Sequence, residues 1–166
     1  GHLRARFHES YSALWDLHSQ RWIEALARFV RADLAALAAG GATLVDVESV
    51  FDCRLDLGDA EAPLALAGRL DRVTRRGRDP NVLVVSDYKT SGKLDDHVSL
   101  KWALKGARLQ ILLYRLIGER HLAPVSGASG AKPDSVAAEV LGVGPRFGSE
   151  SKTESRAVVD ERGLAE

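Results

Sequence analysis

Gly68-Arg69-Leu70-Asp71-Arg72-Val73, a polar stretch Arg75-Arg76-Gly77-Arg78-Asp79-Pro80-Asn81, and then Val82-Leu83-Val84-Val85-Ser86-Asp87-Tyr88-Lys89-Thr90 form the segment that decides the fold. Two apolar runs flank a cluster of Arg, Gly, Pro and Asn, which reads as a β-hairpin. The spacing predicts strands over Leu64–Val73 and Asn81–Lys89. Strand alternation puts Asp87 and Lys89 on one face with Leu83 and Val85, and Ser86 and Tyr88 on the other. A short connection makes the pair antiparallel. In a straight hairpin with these bounds, Asp71 and Asp87 stand at opposite extremes. They meet only if the hairpin bends, bulges or is strongly staggered.

Upstream of the hairpin, Thr43 to Leu57 predicts another strand. Val45, Val47, Ser49 and Phe51 alternate with Asp46, Glu48 and Val50 along it. Gly58 to Pro63 reads as a turn. Earlier still, Leu3 to Ala39 is helical in pattern, with Tyr11, Leu14, Trp15, His18, Trp22, Leu26, Phe29, Val30, Leu34 and Leu37 in one apolar stripe and Gly40-Gly41 as its stop. His18 lies on that stripe, as an interior packing residue or as a ligand. Downstream, Ser91 to Asp96 is a polar break with a cap near Asp95 or Asp96. A second helix follows over His97 to His121, interrupted around Gly106, with Leu109, Leu112, Leu113, Leu116 and Ile117 as its buried stripe. Pro124 to Pro133 is a surface loop, Ser135 to Val143 a fourth strand, and Arg156 to Val159 a short fifth. The order helix, three antiparallel strands, helix, strand makes an α/β mixed sheet flanked by helices.

The chain has 166 residues, enough to bury a core without disulfides or structural metal. Lys+Arg and Asp+Glu both number 23, so no net charge favours a polyanion. The local run Arg69, Arg72, Arg75, Arg76 and Arg78 is either such a patch or a solvated turn. Cys53 stands alone, which excludes a disulfide framework and a cysteine-held zinc or iron–sulfur cluster. No apolar run reaches membrane-span length, and no signal peptide is visible, so a cytoplasmic protein with no membrane partner is expected. No Gly-x-x-x-x-Gly-Lys-Ser/Thr phosphate loop occurs, so no motor of that type is present.

Two carboxylates and an ammonium at one end of a sheet have a definite chemical use. Buried charges persist mainly where they are paired or hold a metal. Asp71 and Asp87, with the main-chain carbonyl of Tyr88, offer hard oxygens to Mg²⁺ or Mn²⁺. Lys89 offers a fixed positive charge for a reacting phosphate. The alternative is an ordinary strand carrying a surface acid–lysine pair.

In combination, Gly68-x-x-Asp71-Arg72, Asp87-Tyr88-Lys89-Thr90 and Gln110-x-x-x-Tyr114 resemble the RecB-like branch of the PD-(D/E)XK nuclease superfamily over about Thr43 to Ile117. The resemblance implies a restriction-endonuclease-like core whose sheet bends at the metal. It implies Asp71, Asp87 and Lys89 as catalytic residues, with Asp71, Asp87 and the Tyr88 carbonyl as ligands. Gln110 and Tyr114, sharing a helix face, would contact substrate DNA. Glu48 matches a first-strand acid of such domains, assisting the metal or forming an ion pair. The iron–sulfur cysteines of some relatives are missing. Relatives also carry an upstream histidine ligand, whereas His2, His8 and His18 fit no copy of that motif.

The expectation is therefore a Mg²⁺- or Mn²⁺-dependent deoxyribonuclease of exonuclease type, serving repair or recombination. Its partners would be DNA and a helicase or other repair subunit. Residues 1–166 would form one nuclease-like domain, with a helical segment (1–42), a motif-bearing core (43–143) and a terminal strand and tail (144–166), excised from a larger protein. The alternative function is a non-catalytic DNA-end-binding or scaffolding module with a degenerate fold.

Overall fold

The computed structural model describes residues 2–56, 62–77, 81–90, 93–123, 132–146 and 156–159, with backbone alone at 2–12, 100 and 156–159. Five strands form one sheet in the order β1-β2-β3-β4-β5. They are β1 (Thr43–Leu55), β2 (Leu64–Arg76), β3 (Val82–Lys89), β4 (Ser135–Gly142) and β5 (Arg156–Val159). The first three pair antiparallel, β4 runs parallel to β3, and β5 pairs antiparallel to β4. The parallel step needs a crossover, which α2 (Leu100–Leu104) and α3 (Gln110–Ile117) supply. A mixed sheet flanked by helices, the restriction-endonuclease-like α/β core, is the architecture.

The register of the hairpin corrects the strand bounds and removes the geometric difficulty they posed. β2 continues to Arg76 rather than stopping at Val73, and pairs Arg76 with Val82 through to Arg72 with Ser86. Each pair sums to 158, so one further step sets Asp71 opposite Asp87. Arg75 and Arg76, expected in the turn, belong to the strand. Two arginines can extend a strand here because the sheet offers them partners: Arg76 reaches Glu139 on β4 at 2.6 Å.

One face of the sheet carries the main core. Leu70, Val73, Leu83, Val85, Ala138 and Val140 pack there with Ile111, Tyr114 and Ile117 of α3. Close approach is specified by Gly118, at the start of the π turn Gly118–Leu122. A Cβ at that position would lie 2.6 Å from Val136 Cγ1. Gly68 serves the same end on β2, where a Cβ would lie 2.9 Å from the ring of its cross-strand partner Phe51. The second helix is not continuous. Leu94–His97 is a 3-10 turn that contains Asp95 and Asp96 instead of being capped by them. Gly106 (φ +71°) and Arg108 (φ +55°) then separate α2 from α3. The buried set on α3 is Ile111, Tyr114 and Ile117, while Leu109 is exposed and Leu112 and Leu116 are half-buried.

Helix α1 (His2–Ala39) covers the opposite face and ends in a Schellman pattern. Ala42 N–H donates to Leu37 C=O, and Gly41 N–H to Ala38 C=O, with Gly41 at φ +58°. Its packed side is narrower than the expected stripe. Trp22, Ala25, Phe29 and Asp33 turn inward, whereas Leu14, Leu26, Val30 and Leu34 are exposed and His18 is at the surface, not interior. Tyr11 lies outside the described side chains. Strand β1 contributes to the core only through Phe51, Cys53 and Leu55. A bulge between Leu44 and Asp46, and Glu48 at φ +53°, break the expected alternation. The turn Gly58–Pro63, the loop Pro124–Pro133 and the tail fall largely outside the described residues. No described helix is long and apolar enough to cross a membrane.

Candidate active site

Beyond the Arg72–Ser86 pair the β2–β3 ladder ends, and side chains take over the joint. Tyr88 N–H, which would otherwise continue the ladder, donates to Asp71 Oδ2 at 2.9 Å. That bond ties Asp71 to the main chain one residue past Asp87. The two acids thus share a face, and to the upward shift that burial gives the Asp87 pKa the nearby Asp71 carboxylate adds. Burial is the larger cause of that shift, opposed by Lys89 and by His97.

Asp87 is held from two directions. Gln110 Nε2 donates to its Oδ1 at 2.9 Å, and Lys89 Nζ lies 2.7 Å from its Oδ2. Oδ2 is thus a buried carboxylate oxygen whose charge is met by the Lys89 ammonium. Lys89 Nζ also donates to Gln110 Oε1 at 2.8 Å. One amide therefore orders both charged groups, its oxygen facing the ammonium and its nitrogen the carboxylate. Tyr114 fixes the amide in turn: its hydroxyl accepts from Gln110 Nε2 at 2.7 Å and donates to Arg69 C=O at 3.2 Å. Burial raises the Tyr114 pKa, with the neighbouring Asp87 and Asp71 charges adding to it, so the phenol keeps its proton.

A buried carboxylate beside a second carboxylate is a donor set that fits a hard divalent cation. Among the described residues no three His, Cys, Asp or Glu side chains converge as a complete cage. Two carboxylates completed by main-chain oxygen and water suit Mg²⁺, which usually keeps several waters. Asp71 and Asp87 are the residues that would hold such an ion.

The structure brings together Asp71, Asp87, Lys89, Gln110 and Tyr114. His18 is not among them, while Glu48 lies between Val47 and Ser49, the partners of Arg72 and Leu70, and so across the ladder from Asp71. Glu48 pairs with Arg69 at 2.9 Å on the surface. His18 accepts a hydrogen bond from Trp22 Nε1 on exposed α1. Tyr114 is buried and engaged, so its phenol faces Gln110 and the Arg69 carbonyl, while Gln110 remains exposed.

Three groups near the centre escaped the reading of the sequence. His97 sits in the field of Lys89, Asp87 and Arg108, and burial first, then Arg108 and Lys89, lower its pKa. Trp102 lies under two cations, with Lys105 Nζ and Arg108 Cζ at 5.3 and 5.5 Å from the ring centroid. Arg108 also pairs with Asp96 at 3.3 Å. The third is a polar cluster behind the sheet, around Arg72. Its signal was a lone acid, Glu139, within the apolar run Ser135-Val-Ala-Ala-Glu-Val-Leu-Gly142.

The family model for the PD-(D/E)XK nuclease superfamily matches residues 2–161. The chain belongs to that superfamily, whose members are typically metal-dependent nucleases. No curated protein matches it.

Proposed function

We propose that this chain is a RecB-like, Mg²⁺- or Mn²⁺-dependent deoxyribonuclease, with Asp71 and Asp87 as metal ligands and Lys89 as the catalytic cation. The observation that carries the reading is the convergence on the buried Asp87 carboxylate of Lys89 at 2.7 Å, of Gln110, and of Asp71, which the Tyr88 N–H ties beside it. The ion, with the Tyr88 carbonyl as a further ligand, would neutralise charge on the scissile phosphate and ease ionisation of a water.

The protein groups have separable tasks. Lys89 carries a positive charge into the phosphate position, and the Gln110 oxygen keeps it there. Gln110, exposed at the helix start, presents its amide to both ligand and substrate. Tyr114 acts behind it, holding the amide so that Nε2 meets Asp87. The Trp102–Lys105–Arg108 cluster would form the rim, since Arg108 pairs with Asp96 on the 3-10 turn that carries His97. An aromatic ring among cations suits a nucleic-acid strand, with stacking for bases and charge for phosphates.

The motif set supports a nuclease module of a repair or recombination system, acting on DNA ends as an exonuclease. Residues 1–166 would be one cytoplasmic module, working beside a helicase or other repair subunit or domain. The test is digestion of linear and circular DNA with Mg²⁺ or Mn²⁺, comparing the parent with Lys89→Ala and Asp87→Ala. Resection by the parent alone supports the proposal. Binding of DNA ends without turnover in any of the three would make this a scaffolding module instead, and equal cleavage by all three would end the assignment.

A further inference from the structure

The face of the sheet opposite the acids carries a buried charge network. Arg72, Ser86 and Glu139 occupy one row across three strands, because Arg72 pairs with Ser86 and Ser86 with Glu139. Arg72 is 4% exposed, and Ser86 and Glu139 are fully buried. Ser86 Oγ donates to Glu139 Oε1 at 2.7 Å, and Arg72 reaches the same oxygen at 3.4 Å. Arg76 closes on both Glu139 oxygens at 3.0 and 2.6 Å, and Arg72 Nη1 pairs with Asp33 of α1. The Tyr88 ring lies 5.5 Å from the Arg72 guanidinium, with Phe29 edge-on against it at 5.7 Å. Burial works against the Arg72 charge, yet Asp33, Tyr88 and Glu139 outweigh it and raise its pKa.

Placement makes this network more than a neutral knot. Residues 72, 86 and 88 alternate along their strands with 71, 87 and 89. The row is also the last rung of the β2–β3 ladder, so beyond it no backbone pairing sets the spacing of Asp71 and Asp87. A buried ion network does little for stability compared with an apolar replacement, but it fixes geometry when every member is satisfied. Ligand orientation by groups behind the ligands is the usual means of tuning a metal site.

We propose that Arg72 and Glu139 are positioning residues for the metal site, holding the end of the hairpin so that Asp71 and Asp87 stand at the separation one divalent ion needs. The inference rests on the reading of those two acids as ligands.

Arg72→Met, Glu139→Gln and Ser86→Ala in the full chain test it, with Mn²⁺ affinity read by calorimetry and fold by circular dichroism. The expected result is a native spectrum with Mn²⁺ affinity weaker by roughly ten- to a hundredfold in Arg72→Met or Glu139→Gln. Ser86→Ala, which removes one hydroxyl, should fold and weaken binding less. In the nuclease assay the half-activating Mn²⁺ concentration should rise by the same factor, with turnover at saturating Mn²⁺ within a few-fold of the parent. Parent-like Mn²⁺ affinity in the folded variants overturns the proposal, as does lower turnover with no change in half-activating metal. If Arg72→Met does not fold, Glu139→Gln and Ser86→Ala decide between these outcomes. A parent that binds Mn²⁺ and loses it in Asp87→Asn leaves the nuclease reading standing whatever the network variants do. A parent that binds none removes both.

Discussion

Asp71 Oδ2 accepts the Tyr88 main-chain N–H at 2.9 Å, so the first acid of the hairpin is fastened to the backbone directly after the second. A side chain here replaces a rung of the ladder. Past the Arg72–Ser86 pair, this bond keeps the first acid beside the second without a backbone rung between them. It also explains why an Asp-x-Lys triplet alone says little: the triplet acquires meaning only from what lies across the strand.

Asp87→Asn should raise the thermal stability of the metal-free protein while abolishing metal-dependent activity. Burial raises the Asp87 pKa, so the folded state prefers the protonated acid. The corresponding stability is complete below the unfolded-state pKa and is lost as pH rises through the folded-state value. At neutral pH the ionised group therefore carries a cost that an amide avoids. Melting curves at two pH values check this: the advantage of the variant should be larger at pH 8 than at pH 4.

The same shift gives metal affinity a pH dependence. Protons and the cation compete for Asp87, and the raised pKa makes the proton the stronger competitor. Mn²⁺ affinity should climb as pH rises through the Asp87 pKa and level off above it. Calorimetric titrations across pH 4–8 measure the curve. A flat profile would show that the bound ion does not need the Asp87 carboxylate ionised.

Gln110→Ala should impair catalysis more than stability. The amide sits partly in solvent, yet it joins Lys89, Asp87 and Tyr114. Removing it frees the ammonium and leaves Asp87 Oδ1 without its donor, and turnover should fall by about 10- to 100-fold. Tyr114→Phe keeps the ring in the core and loses only the hydroxyl. Its effect on stability should stay near about 1 kcal/mol, with a smaller loss of turnover. Steady-state rates and denaturant midpoints separate the two.

Trp102→Ala should weaken binding of single-stranded oligonucleotides by about tenfold or more, since one base stacked on an aromatic contributes roughly 1–3 kcal/mol. Its Mn²⁺ affinity should match the parent, because the ring's partners are the Lys105 and Arg108 cations. Anisotropy with a labelled oligonucleotide and Ca²⁺ in place of the activating ion reads the first effect without cleavage.

The five side chains that converge here are legible because each motif carries its own spacing, and Gln110 and Tyr114 fall on one helix face wherever that helix begins. The bounds of β2 are not. Arg75 and Arg76 resemble turn residues in any local window, and the partner that holds Arg76 in the strand is the remote Glu139. The three-residue shortfall that resulted moved Asp71 to the wrong end of the hairpin. On α1 the expected stripe joins Trp22 and Phe29 to Leu14, Leu26, Val30 and Leu34, yet the sheet takes only the side bearing Trp22, Ala25, Phe29 and Asp33. Asp33 answers Arg72, and no periodicity within the helix records a charge across the sheet. The break at Gly106 was visible, while the left-handed Arg108 that completes it was not, since arginine shows no preference for that conformation.

Titrating Mn²⁺ into the parent, Asp71→Asn and Asp87→Asn, with each variant's melting curve recorded alongside, measures directly whether these two carboxylates share an ion. Saturable binding in the parent and its loss in both folded variants is the expected outcome. Parent-strength binding in either variant, or cleavage of DNA by a parent that binds no divalent ion, would contradict it.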